Sequence, residues 1–170
     1  MSQSREALHS SVSCEWFTPL EYIDAARRVM DTIDLDPASC EEANSRIQAT
    51  NFYDKSVDGL KQKWKGKVFL NPPYGRGGQS NWSQKLINEF TNGEVTEAIL
   101  LVNSSTGNKW FQPLWNYLIC FVDKRIKFLS VDDVAKHSPT HSNVFVYFGP
   151  NEDKFKQEFG NFGVVIRRTE

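Results

Sequence analysis

The feature that most limits what this chain can fold into is the run Lys67-Val68-Phe69-Leu70-Asn71-Pro72-Pro73-Tyr74. Its apolar half reads as a strand buried on both faces, and two consecutive prolines stop that strand at Asn71 because neither can donate to a sheet ladder. A loop with Gly75, Gly77 and Gly78 follows. The pattern then predicts a helix over residues 82–90, closed by Asn92-Gly93, and a second apolar strand over 98–102. Strand, loop, helix, strand in that order is a parallel crossover unit, and parallel strands need cover on both faces.

The remaining elements agree with such a sheet. Thr18-Pro19-Leu20-Glu21 carries a Thr-x-x-Glu capping box with proline at the first helical position, so a helix is expected to about Met30. Tyr22, Ile23, Ala26, Val29 and Met30 share its apolar face. A short strand over 32–35 stops at Asp36-Pro37, and Ser39-Cys40-Glu41-Glu42 opens a second helix with another capping box. A helical turn is expected over 59–64 and an aromatic helix, interrupted by Pro113, over 108–118. Strands are expected over 119–122, 126–129, 143–148 and 164–168, with a helix near 153–159. This alternation predicts an α/β three-layer αβα sandwich, its sheet mostly parallel with antiparallel strands near the C-terminus.

At 170 residues and 39% hydrophobic the chain can bury one sizeable core but is short for two. A single domain is expected over 15–170, with residues 1–14, polar and without period, disordered or draped. Lys plus Arg number 20 and Asp plus Glu 21, a net charge of −1, so bulk charge argues for neither a nucleic-acid coat protein nor a membrane-surface binder. No apolar run approaches the roughly 20 residues of a spanning helix, and the N-terminus lacks a signal-peptide layout. A cytoplasmic location without membrane contact is expected. Cys14, Cys40 and Cys120 are scattered and read as reduced thiols; with three histidines they make no metal set, so no metal is expected. His137 and His141 flank a loop and read as solvated or hydrogen-bonded. Ser, His and acid residues form no nucleophile, base and orienter trio for a hydrolase.

Asn71-Pro72-Pro73-Tyr74 stands where open parallel sheets bind ligands, at the carboxyl end of a strand. A stiff turn can hold the Asn71 side-chain oxygen and the Pro72 carbonyl so that both accept hydrogen bonds from one NH₂ group. That arrangement favours the tetrahedral nitrogen of a transition state in which an exocyclic amine attacks a methyl group. Tyr74 offers a flat face for a base rotated out of a duplex. The competing reading is a rigid turn whose tyrosine packs in the core. At Asp34-Leu35-Asp36-Pro37-Ala38 a carboxylate ends a strand beside a helix start, and Asp36 is either a ligand for the ribose hydroxyls of a nucleoside cofactor or an ordinary Asp-Pro turn.

In the order Trp16-Phe17-Thr18-Pro19, then Asp34-Leu35-Asp36-Pro37-Ala38-Ser39, then Trp64-Lys65-Gly66 and Asn71-Pro72-Pro73-Tyr74, the sequence resembles the small bacteriophage-type DNA N6-adenine methyltransferases from about Trp16 to Gly149. The resemblance implies a Rossmann-like S-adenosylmethionine-dependent methyltransferase that acts on double-stranded DNA as a monomer or homodimer. It also implies release of S-adenosylhomocysteine and protection of phage DNA from restriction. By that resemblance Asn71, Pro72, Pro73 and Tyr74 form the catalytic tetrad. Trp16, Phe17 and Thr18 lie over the methionine end of the cofactor, or else staple the helix start to the core; Asp34, Asp36, Pro37 and Ala38 form its central contact. Asn51 and Phe52 fall where related enzymes meet the adenine. The family's glycine-rich cofactor loop is missing, as no Gly-x-Gly occurs between Trp16 and Asn71.

From Lys61 to Lys85 the chain carries six basic residues and no acid, whereas from Asp31 to Glu42 it carries five acids and no base. The basic stretch suits a phosphate backbone and the acidic one a cationic cofactor, although alternating lysines also make an ordinary solvated face. Arg76, Gln79, Asn81, Trp82 and Lys85 are candidate DNA contacts. Lys109 and Trp110, in a segment that lines the base pocket or caps a helix, are further candidates, as is Arg125, which grips phosphate or fixes the C-terminal strands. Cytosine N4, an RNA base or a protein glutamine are alternative acceptors, and a catalytically idle nucleotide-binding module is the alternative of a different class.

Overall fold

A computed structural model describes residues 16–75, 77–130 and 140–169. The expectations for residues 1–14, Arg76 and His137 therefore lie outside the described residues. In chain order the regular elements are α1 (Leu20–Met30), β1 (Leu35–Asp36), α2 (Glu41–Ile47), β2 (Asn51–Phe52), β3 (Gly66–Leu70), α3 (Gly78–Thr91), β4 (Val95–Asn103), β5 (Leu118–Val122), β6 (Asn143–Phe148), α4 (Glu152–Phe159) and β7 (Gly163–Ile166).

The strands form one sheet in the order β2-β1-β3-β4-β6-β5-β7. β2, β1, β3 and β4 pair in parallel, β6 is antiparallel to β4 and to β5, and β7 is antiparallel to β5. β5 therefore points the same way as β4, and five of the seven strands share a direction. Their carboxyl ends lie along one edge of the sheet, where such folds bind ligands. The crossover expected on either side of the Pro-Pro stop is present as β3-α3-β4.

Alternation along the strands feeds two cores. On one face Tyr22, Ile23 and Val29 of α1 and Phe155 and Phe159 of α4 pack with Phe69, Ile99, Phe145 and Tyr147. On the other, Trp82 and Leu86 of α3 pack with Phe111, Val68, Leu70, Leu100, Val146 and Phe148. Both faces of β3 are dry, which explains its unbroken apolar run.

Several local expectations change. Pro19 is the N-cap of α1 and Thr18 does not cap it; the Thr18 hydroxyl is instead taken by Asn71. The strand expected over 32–35 is only Leu35–Asp36, because Asp34 turns its carboxylate to accept from the Lys67 backbone N–H at 2.8 Å. Cys40, not Ser39, caps α2, its Sγ accepting from Ala43 N. Cys40 is disulfide-bonded rather than reduced, whereas Cys120 is free and buried. β2 was not anticipated, its two residues lying in a polar stretch. Around Pro113 the aromatic segment makes a single 3-10 turn, Gln112–Asn116. The strand expected over 126–129 reduces to one antiparallel bridge between Leu129 and Phe17.

At the opposite edge of the sheet Glu97, buried, accepts from the Tyr147 hydroxyl at 2.5 Å and from Asn151 Nδ2 at 3.0 Å, with Lys67 Nζ 3.7 Å away. Glu97→Gln keeps the volume and removes the charge, leaving the half-buried Lys67 ammonium with Asp31 and the Met30 carbonyl as partners. It is expected to cost about 1–2 kcal/mol, read by chemical denaturation; a variant as stable as the parent would show that the hydrogen bonds alone hold this corner.

Candidate active site

Asn71 is the first residue beyond β3, and the prolines that end the strand hold it at the sheet's carboxyl edge. Its amide Nδ2 donates to Thr18 Oγ1 at 3.3 Å. Its Oδ1 is buried and has no hydrogen-bond partner. An unpaired buried acceptor is costly, about 1–3 kcal/mol, and it persists where a ligand completes it. With Nδ2 placed toward Thr18, the amide oxygen faces away from it and is what an incoming amino group meets.

Tyr74 is half-buried; its ring meets Phe128 edge-on with centroids 6.0 Å apart, and its hydroxyl accepts from Asn143 Nδ2 at 3.3 Å. Burial pushes the phenol above its ordinary range. Asn143 at the start of β6 also reaches Asn103 Oδ1 at the end of β4, 3.2 Å away. Tyr74 is thus tied to β6 and, through Asn143, to β4 at the edge where Asn71 stands.

Two adjoining clefts open there. The first, open to solvent, is lined by Trp16, Phe17, Thr18, Asp36, Ala38, Arg46 and Asn71. The second is lined by Pro37, Ala38, Tyr53, Asp54, Pro73 and Trp82. Ala38 is common to both, so the loop after β1 is the saddle between them. A methyl group on Gly59 would lie 2.0 Å from the Pro37 carbonyl oxygen. Only glycine lets the segment after β2 close on this saddle. Trp64 fixes the approach, its Nε1 donating to the Gly59 carbonyl at 2.8 Å and its ring stacking on Trp82.

Asp36 is fully buried between the clefts. Its carboxylate accepts from Ala38 N at 3.2 Å and is also hydrogen-bonded by Ser39. Burial outweighs both bonds and raises its pKa from 3.8 to about 6.

Of the residues singled out from the sequence, Trp16, Phe17, Thr18, Asp36, Pro37, Ala38, Asn71, Pro73 and Trp82 line the two clefts; Tyr74 lines neither, and its ring packs on the core and on Phe128. Asp34 does not: it belongs to the far end of the sheet, where its carboxylate holds Lys67 N and sits against Gly66, whose φ of 75° suits glycine. Asn51 and Phe52 form β2, and the next two residues, Tyr53 and Asp54, line the cleft in their place. Asp54 accepts from Ser56 Oγ at 2.6 Å, which holds its carboxyl below the usual range. Arg46 was also missed, since a lone arginine in a polar helix carries no sequence signal.

The candidate DNA contacts divide. Gln79 is buried, its Oε1 accepting from Asn103 N at 2.9 Å, and Trp82 is core. Lys85 pairs with Glu89 at 2.7 Å over the Trp64 ring. Asn81 is exposed. The alternating lysines do not border Asn71: Lys65 and Lys67 are at the start of β3, paired with Glu94 and Glu97, and Lys61 pairs with Asp58. Alternation had placed the basic stretch near the tetrad in sequence, but a five-residue strand separates them in space. Lys109 is exposed in the loop after β4, while Trp110 is half-buried against Phe111. Beyond β5, Lys124, Arg125 and Lys127 are exposed and alternate with buried Ile126 and Phe128. Phe128 meets the Tyr74 ring, while the basic side chains of this strip are on the solvent side.

Among the described residues no group of His, Cys, Asp and Glu could hold a metal ion, and no helix is long and apolar enough to cross a membrane. No curated protein and no solved structure matches the chain. Residues 5–169 match the family described as DNA N-6-adenine-methyltransferase (Dam). That match runs through every strand of the sheet and through both clefts, and an acceptor left open for an amino group at a strand end is what such a reaction requires: the chain belongs to the DNA N-6-adenine-methyltransferase family and is an adenine-N6 DNA methyltransferase.

Proposed function

We propose that the methyl donor is S-adenosylmethionine, lying across the two clefts with Asp36 beside its positive charge, and that Asn71 and the Pro72 carbonyl clamp the N6 amino group of an adenine flipped from duplex DNA. The observation that carries this reading is the unpartnered, buried Asn71 Oδ1. Trp16 and Phe17 give the first cleft aromatic faces, which suit a sulfonium. S-adenosylmethionine supplies a methyl group on a cationic sulfur, an electrophile that an amine attacks directly.

The chain's own contribution is positional and electrostatic. Two acceptors on one NH₂ draw its hydrogens out of the base plane and free the nitrogen lone pair from the ring. Thr18, by occupying Asn71 Nδ2, keeps the amide oxygen turned toward the amine. Tyr74, held by Phe128 and Asn143, supports the stacking of the flipped base. Duplex DNA is read as docking on the Lys124-Arg125-Lys127 strip and Lys109. The small bacteriophage-type enzymes it resembles suggest that the product is phage DNA shielded from restriction in a host cytoplasm.

Transfer of labelled methyl from S-adenosylmethionine to unmethylated duplex DNA, followed by nucleoside analysis, is expected to yield N6-methyladenine and S-adenosylhomocysteine. Absence of donor binding would remove the cofactor assignment. Lys124→Ala and Lys127→Ala are each expected to weaken DNA binding and to reduce the slope of log affinity against log salt by about 1. Donor affinity should not change. Slopes equal to the parent's would move the DNA path off this strip.

A further inference from the structure

We propose that Asn143 is a positioning residue for methyl transfer: its amide tethers the Tyr74 hydroxyl and so sets the angle at which the Tyr74 ring receives the flipped adenine. This rests on the reading that Tyr74 stacks on the base. A tyrosine side chain has two torsions that place its ring, and two contacts here account for one each. The hydroxyl lies on the ring's own axis, so the bond from Asn143 Nδ2 at 3.3 Å pins the far end of the side chain without fixing the ring's rotation. Phe128, meeting the ring edge-on at an interplanar angle of 68°, sets that rotation. The phenol, raised above its ordinary range by burial, stays protonated and is suited to a tether rather than to taking a proton from the base amine.

The sheet places Asn143 for this role. It opens β6 directly opposite Asn103, the last residue of β4, and its Nδ2 also donates to Asn103 Oδ1 at 3.2 Å. Asn103 N in turn donates at 2.9 Å to the Oε1 of Gln79, in the first turn of α3. A polar chain therefore runs from Tyr74 across two strand ends to Gln79, and both ends of the glycine loop are held by one pair of strands. At Gly78 a methyl group would lie 2.3 Å from the Pro73 carbonyl oxygen, which shows how closely the start of α3 closes on the tetrad. The rest of β6, Val144 to Phe148, is aliphatic or aromatic and buried. Asn143 is itself 1% exposed, and its Oδ1 has no hydrogen-bond partner. A buried asparagine with half its amide unpaired is an unfavourable way to fill a strand position, and what it supplies that a leucine could not is the donor to Tyr74 and Asn103.

The test is a double-mutant cycle on the full chain, with Tyr74→Phe, Asn143→Leu and the two combined, and with Tyr74→Ala as reference. Methyl transfer to unmethylated duplex DNA gives kcat/KM for DNA, and S-adenosylhomocysteine binding, which should not move, is the control. Tyr74→Phe and Asn143→Leu are each expected to lower kcat/KM for DNA by about three- to tenfold, the usual worth of one hydrogen bond. The combined variant should lose no more than either single one, because both substitutions remove the same tether. Losses that multiply in the combined variant would overturn the proposal, because Asn143 would then act through Asn103 and the strand ends. A Tyr74→Phe protein as fast as the parent would overturn it too, and since that variant removes the tether alone it decides the matter even where Asn143→Leu fails to fold. If Tyr74→Ala also matches the parent, the stacking reading itself falls; if Tyr74→Ala is slow while Tyr74→Phe is not, that reading stands and the proposal alone is removed.

Discussion

Asn71→Ala is expected to slow methyl transfer by about 10²–10³-fold, the usual cost of losing one preorganised acceptor or donor at a reacting group. Donor affinity should change by less than about fivefold, since the substitution leaves both charged residues of the first cleft, Asp36 and Arg46, in place. Folding stability is informative too. The substitution removes one hydrogen bond, to Thr18, but also an acceptor that is buried without a partner. These oppose each other, each being about 1–3 kcal/mol, so the thermal midpoint should stay close to the parent's. Single-turnover transfer to duplex DNA, equilibrium binding of S-adenosylhomocysteine and a melting curve measure the three quantities. A variant that is fast, or slow only because it is unfolded, would falsify the role given to the amide oxygen.

Asp36→Asn is expected to stabilise the unliganded protein and to weaken the donor at the same time. With its pKa raised from 3.8 to about 6 in the folded chain, Asp36 binds a proton more tightly when folded than when unfolded. Its contribution therefore favours folding below pH about 4 and is lost as pH rises through about 6. At neutral pH the buried charge costs on the order of 3 kcal/mol, which asparagine avoids while still accepting from Ala38 N. The midpoint of Asp36→Asn should exceed the parent's at pH 7.5 and approach it near pH 4. Donor binding should move oppositely. In the parent, affinity for a cationic donor should fall as pH drops below about 6, because Asp36 must shed its proton to bind it. In the variant the affinity should be lower by about 10–100-fold at pH 7.5 and flat across that range. Equal stability of the two proteins at pH 7.5, or a parent affinity indifferent to pH near 6, would take Asp36 out of the cleft's charge balance.

Much of the architecture is legible in the residues. The Pro-Pro stop after an apolar run, a glycine loop and an amphipathic helix admit little but a parallel crossover, and α1, β3, β5, β6 and α4 fall where periodicity puts them, whereas α3 begins four residues earlier than expected, at Gly78 of the glycine loop, and β4 three residues earlier, at Val95. Short pieces were harder. β1 and β2 are two residues each, too short for any period to register, and they exist because they pair with β3 and with each other. Capping at Thr18 failed because a stronger tertiary claim on its hydroxyl came from Asn71, 53 residues away. The blocks around Trp64 and Gly66 resemble family motifs, yet their work here is architectural: Trp64 holds Gly59 and Gly66 clears the Asp34 carboxylate.

The site divides in the same way. Sequence alone determined the chemistry available, a rigid amide and carbonyl pair at a strand end with an aromatic neighbour, because proline stiffness and strand termination are local properties of the chain. It also determined the acid that ends β1. Only the tertiary structure decided which charges face the site. It drew Lys65 and Lys67 to the far edge and into ion pairs, buried Gln79 and Trp82, and brought Arg46, Tyr53, Asp54 and the Lys124–Lys127 strip to the carboxyl edge. The reason is physical. A strand carries its two ends some 3.3 Å per residue apart, so neighbours in sequence part company across a sheet, while strand pairing brings residues distant in the chain to one edge.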